Sequence, residues 1–105
     1  MRIRWLPDAR LEMAESVRFY REQAPDLGIA LVEEVRGRLD FALRFPEGGT
    51  RVPRTKDFHV RSLLLDRFEY VIVYALLDAE LLIVAVHHQH RRPGYWKPRL
   101  AETTG

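Results

Sequence analysis

A chain of 105 residues is long enough for one domain with its own core and too short for two ordinary ones, and 47% hydrophobic with 30% charged residues excludes a disordered or collagen-like polymer. The absence of cysteine removes a disulfide framework, a thiolate zinc site and a cysteine nucleophile. The net charge of +2 is unevenly spread: 8 Arg face 9 acidic residues over 1–49 (−1), and 9 Lys+Arg face 6 over 50–105 (+3), so the C-terminal half is expected to build a positive surface.

In chain order, "RIRW" alternates charge and apolar character, which puts Ile3 and Trp5 on one face of a short strand before Pro7. Asp8 is the expected N-cap of a helix whose stripe Met13, Ala14, Val17, Tyr20 and Ala24 runs until Pro25. Asp26 is expected to cap a second helix, with the clearest stripe in the chain: Leu31, Val32, Val35, Leu39, Ala42 and Leu43. A connection as short as "APD" makes the pair an antiparallel hairpin. After the loop "PEGGTRVPRTKD" come "FHVRSLLL", "FEYVIVYALL" and "LLIVAVHH", β-rich runs separated by short turns, which read as a three-strand antiparallel meander.

The expected fold class is therefore α+β: an N-terminal strand, then a two-helix antiparallel hairpin packed on a mainly antiparallel sheet. Residues 1–105 form the expected single domain, with a flexible tail at 98–105. The middle run is apolar at both parities, so both its faces need cover. The helices supply one; the C-terminal tail with Tyr95 and Trp96, or a second polypeptide, supplies the other. "MRIRWLPDAR" carries charge where a signal peptide needs about 7–15 apolar residues, and no run reaches the roughly 18 of a membrane span, so a cytoplasmic protein without a membrane partner is expected.

Chemistry concentrates in "AVHHQHRRPGYWKPR", residues 85–99. His88 and His90 share a face if the strand continues, but no carboxylate lies beside them in sequence and Arg91-Arg92 repels a cation, so no metal site is expected. Arg51, Arg54, Lys56, Arg61 and Arg67 before or beside the sheet, with Arg91, Arg92, Lys97 and Arg99 after it, can converge on one positive surface, with Tyr95 and Trp96 available for stacking. Phosphate loops, nucleophile elbows and His-Glu metal helices are missing, and no cofactor is expected. An acid–base nuclease needs only a proton acceptor, a proton donor and cations, for which His59, Arg61, His90, Arg91 and Tyr95 are candidates.

The order and spacing of "FYREQAPDLGIALVEEV", "LRFPEGGTR", "FEYVIVY" and "AVHHQHRRPGYW" resemble the RelE/ParE superfamily over about residues 3–96, the toxins of type II toxin–antitoxin systems often described as plasmid-stabilisation proteins. The resemblance implies a cognate antitoxin as partner, in a toxin–antitoxin hetero-oligomer. It implies one of two activities. RelE-like members cut mRNA on the ribosome without a metal, and their catalytic positions fall here on Arg61, His90 or Arg91, and Tyr95. ParE-like members inhibit growth by poisoning DNA gyrase without nuclease chemistry; the target-binding candidates are then Arg51, Arg54, Lys56, Arg92 and Trp96. The nuclease branch tends to carry an arginine on the central strand where this chain has "YVIVY", and Val71 and Ile72 cannot stabilise a phosphorane. The ParE-like reading is therefore the expected one, with the ribosome-dependent endoribonuclease as alternative.

Overall fold

The computed structural model describes residues 1–101. Its elements are β1 (Arg2–Trp5), α1 (Pro7–Gln23), α2 (Pro25–Arg44), β2 (Thr50–Arg51), β3 (His59–Leu64), β4 (Tyr70–Leu76), β5 (Glu80–His88) and α3 (Pro98–Ala101). The strands form one sheet in the order β1-β5-β4-β3-β2. The meander β3-β4-β5 is antiparallel as expected, with Arg61 opposite Tyr74 and Tyr70 opposite His88. β1 joins it in parallel along the first half of β5, Arg2 opposite Glu80 through Trp5 opposite Ile83. The two-residue β2 forms the other edge, inside what the sequence presents as loop.

Both helices begin two residues earlier than their aspartates suggest. Pro7 and Pro25 open α1 and α2, with Leu6 and Ala24 as N-caps, so Asp8 and Asp26 lie in the first turns rather than capping them. Proline at the first helical position gives up no backbone bond, its fixed φ suits the helix, and an aspartate in that turn meets the positive end of the helix dipole. Pro25 thus starts a helix instead of merely ending one, and Ala24 alone separates the two. The stripe of α2 is buried or half-buried at all six expected positions, whereas on α1 Ala14 faces solvent and the inward stripe is Ala9, Glu12, Met13, Ser16, Val17 and Tyr20.

At β4, Ile72 and Tyr74 on one parity and Val73 and Ala75 on the other are all buried, so both sheet faces are covered. α2 also pins the β3–β4 turn. The Glu34 carboxylate accepts the Asp66 and Arg67 N–H groups, and Arg38 Nε donates to the Leu64 carbonyl at 2.9 Å. Of the expected flexible tail at 98–105, residues 98–101 form α3 and bury Leu100 in the hydrophobic core; 102–105 lie outside the described residues. Among the described residues, no helix is long and apolar enough to cross a membrane.

Candidate functional site

The sequence candidates fall into three separate places. The first is the far edge of β5. β1 ends opposite Ile83, which would leave the backbone beyond it unpaired. A side-chain ion pair takes the place of the missing strand: Val86 N–H donates to Glu12 Oε1 at 3.1 Å, and Arg99 Nη1 donates to the Val84 carbonyl at 2.9 Å. Arg99 meets Glu12 through two bonds of 2.8 Å, the bidentate geometry that planar guanidinium and carboxylate favour. The Tyr95 hydroxyl donates to the other Glu12 oxygen. Burial by itself pushes the Glu12 carboxyl up, but the bonds from Arg99, Tyr95 and Val86 outweigh it and hold Glu12 below the usual carboxylate range.

The same bonds decide what Tyr95 can do. Burial, then its bond to Glu12, push the phenol far above its ordinary range, so it does not ionise near neutrality. Its ring is flanked by Arg91, whose guanidinium lies 3.9 Å from the centroid, by Arg99 and by the edge of His87. Tyr95 is held as an anchor of the C-terminal segment. That segment continues to Lys97, whose Nζ is 3.5 Å from the Pro53 carbonyl, and to Leu100, beside Phe58. Trp96, a candidate for docking a target, is 3% exposed and belongs to the hydrophobic core, as expected of a large apolar ring that finds cover within its own chain.

The second place is the start of β3. Arg61 donates from Nη1 to the Glu47 and Gly49 carbonyls at 2.9 and 2.7 Å, and from Nε to His59 Nε2 at 2.9 Å. Its guanidinium is thus occupied in closing the loop after α2. Burial, together with Arg51 and Arg61, pushes His59 below its ordinary value, which keeps the ring neutral and an acceptor. Tyr74 completes the closure: its hydroxyl donates to the Pro46 carbonyl at 2.8 Å and accepts the Gly49 N–H at 3.2 Å. A Cβ on Gly49 would sit 2.7 Å from both that hydroxyl oxygen and the Ser62 carbonyl, so glycine is required there. Beyond this closure Arg51, Arg54 and Lys56 are all exposed. Arg54 and Lys56 adopt left-handed backbone conformations with φ 61° and 55°, which non-glycine residues enter only where surrounding structure holds them.

The third place is the opposite end of the meander. β5 ends at His88, so His90 lies in the following turn rather than on the strand, yet the turn brings both rings to Glu69 at distances of 3.6 and 3.7 Å. Arg61 stands four positions along β4 from this end, about 13 Å of strand, with β4 itself between. Of the five nuclease candidates, Arg91 touches Tyr95 and Arg61 touches His59, but the two pairs lie apart, and Arg61 and His90 share no site with each other. Arg92 is exposed in the turn.

Sequence reasoning passed over Glu12, although it sits three residues after Ala9 and four before Ser16, on the inward stripe of α1. It also passed over Glu69, for which sequence offers no signal because its partners lie 19 and 21 positions away.

Residues 3–93 match the family model described as the ParE toxin of type II toxin-antitoxin system, parDE. A search of curated proteins finds no match. Among solved structures, a chain described as "Chromosomal ParDE TA system from P. aeruginosa" superposes with a TM-score of 0.69 at 17% identity, covering 84% of this chain and 95% of that one. At that identity the likeness speaks for the fold.

Proposed function

Because the chain belongs to the ParE toxin family of type II toxin–antitoxin systems, we propose that it is a non-enzymatic cytoplasmic toxin that inhibits growth by binding DNA gyrase and is neutralised by a cognate antitoxin. One observation carries the choice against a ribonuclease. The groups such an enzyme would use for protons and phosphate are spread over separate places, and two of them, Tyr95 and Arg61, are engaged in holding the fold. A general acid must lie within hydrogen-bond reach of its substrate with a proton it can release near neutrality, and Tyr95 keeps its proton.

The surface we assign to the target is the loop carrying Arg51, Arg54 and Lys56, with Arg92 as a further exposed cation. Its charges are free of any ion pair among the described residues, and Arg54 and Lys56 sit on a loop backbone held in left-handed conformations. Reversing both charges, Arg54→Glu with Lys56→Glu, is expected to weaken inhibition of purified gyrase by about tenfold or more while leaving the melting temperature within a few degrees. Undiminished gyrase inhibition by the folded double variant would remove the loop from the interface.

We assign the antitoxin surface to the seam of the helical hairpin, which reaches Trp5 of β1. Two adjoining clefts of about 290 and 340 Å³ lie there, sharing Val17, Val32 and Arg36. Ile29 at its lip is 58% exposed, and Arg21, Arg36 and the carboxylate of Glu33 flank it. An apolar floor whose walls carry two arginines against one glutamate suits an amphipathic segment of net acidic charge. Ile29→Asp should reduce co-purification with the antitoxin at least tenfold and leave toxicity intact. Full retention of antitoxin binding would place its site elsewhere.

A further inference from the structure

We propose that Glu69, His88 and His90 form a binding site for a divalent zinc-class cation, which ties the start of β4 to the turn after β5. The sequence argued against a metal for lack of a neighbouring carboxylate, and the fold supplies one. The Glu69, His88 and His90 ligand atoms all lie within 4.8 Å of one another. Glu69 Oε2 is 3.6 Å from His88 Nε2 and 3.7 Å from His90 Nε2. In a tetrahedral site with bonds of about 2.1 Å, neighbouring ligand atoms stand about 3.4 Å apart, so the carboxylate is already within a few tenths of an ångström of its place beside each imidazole, and the two imidazole nitrogens, within 4.8 Å of each other, close the remaining gap by rotation of exposed side chains.

The three ligands are held by backbone as well as by their own contacts. Gln89 N–H donates to the Glu69 carbonyl at 2.8 Å, and Arg91 N–H donates to the His88 carbonyl at 3.0 Å, closing the turn that presents His90. Tyr70 packs edge-on against the His88 ring. Arg91, expected from its place in the sequence to repel a cation, is instead directed onto the Tyr95 ring. Two imidazoles with one carboxylate select a borderline ion such as Zn²⁺ over Mg²⁺ or Ca²⁺, which need oxygen-rich shells. The exposed side of the cluster leaves room for water to complete the shell.

Loading exacts one rearrangement. His90 N–H donates to His88 Nδ1 at 3.1 Å, so the neutral His88 ring carries its proton on Nε2, facing Glu69. A metal on Nε2 moves that proton to Nδ1 and breaks the bond, which limits the site to moderate affinity. The site stands apart from the Arg51–Lys56 loop and from the helical hairpin, with only Arg92 of the assigned surfaces near it, and its occupancy does not depend on either partner.

The test uses the full chain without a histidine tag. Zn²⁺ is titrated by calorimetry, and Co²⁺ serves as a probe whose visible bands report imidazole and carboxylate ligation. The expected result is one equivalent bound at micromolar concentrations, with affinity lowered at least tenfold by Glu69→Gln and by His90→Ala, each checked for an unchanged circular dichroism spectrum. Both side chains are exposed, so neither variant should unfold. Absence of binding below millimolar Zn²⁺, or wild-type affinity in either variant, would overturn the site.

Discussion

Glu12→Ala is expected to lower the unfolding free energy by about 2–4 kcal/mol, because it strands three donors at once: the Arg99 guanidinium, the Tyr95 hydroxyl and the Val86 N–H. The side chains of Glu12 and Arg99 are 14% and 15% exposed, so water replaces little of what is lost. Urea unfolding should show the midpoint moving down by roughly 1 M or more. Glu12→Gln keeps an acceptor and should lose less. The pH dependence has a fixed sign. The folded Glu12 carboxyl lies below its ordinary range, so its contribution is fully present above that range and is lost as pH falls through the folded value. The gap between wild type and Glu12→Ala should therefore narrow in acid. An unfolding midpoint unchanged by the substitution would mean that the ion pair does not hold the edge of β5.

Trp96→Ala should cost about 3–5 kcal/mol, the usual range for truncating a buried aromatic side chain. Against a total of about 5–15 kcal/mol for a domain, that is a large share. The loss has a location. Residues 94–101 run from the Glu12 and His87 contacts of Tyr95 to Pro53 and Phe58, and Trp96 and Leu100 are the buried side chains along that path. Without Trp96 the segment loses its main apolar anchor, so limited proteolysis should cut near the C-terminus well before the rest of the chain. A Trp96→Ala protein with wild-type melting and protease resistance would show that the segment is not part of the core. The substitution also separates roles: a tryptophan serving only to dock a target would change binding and leave stability alone.

What the sequence makes legible is what local periodicity encodes. The α2 stripe and the three strands of the meander announce themselves because each buries a regular set of its own residues. The parallel pairing of β1 with β5 joins residues nearly 80 positions apart, Arg2 with Glu80, and no local pattern records it. The helix starts were misplaced because proline reads as a terminator, and at the first helical position it is an initiator. The site residues were harder still. Tyr95, Arg61 and Trp96 have the chemistry of an active or docking surface, but side-chain type carries no information about whether a partner lies within the same chain. Glu12 answers that question for Tyr95 across 83 positions, and Gly49 and Glu47 answer it for Arg61.

The deciding experiment is to induce the wild-type protein and its Tyr95→Phe variant in a sensitive bacterium and to follow, as growth slows, gyrase-linked DNA breaks and cleavage of translated mRNA in the same cultures. Tyr95→Phe loses one hydrogen bond and should cost only about 1 kcal/mol. A non-enzymatic gyrase poison gives DNA breaks with intact message for both proteins. Cleaved message without DNA breaks, abolished in the Tyr95→Phe variant, would instead make the C-terminal tyrosine a catalytic residue and the protein a ribonuclease.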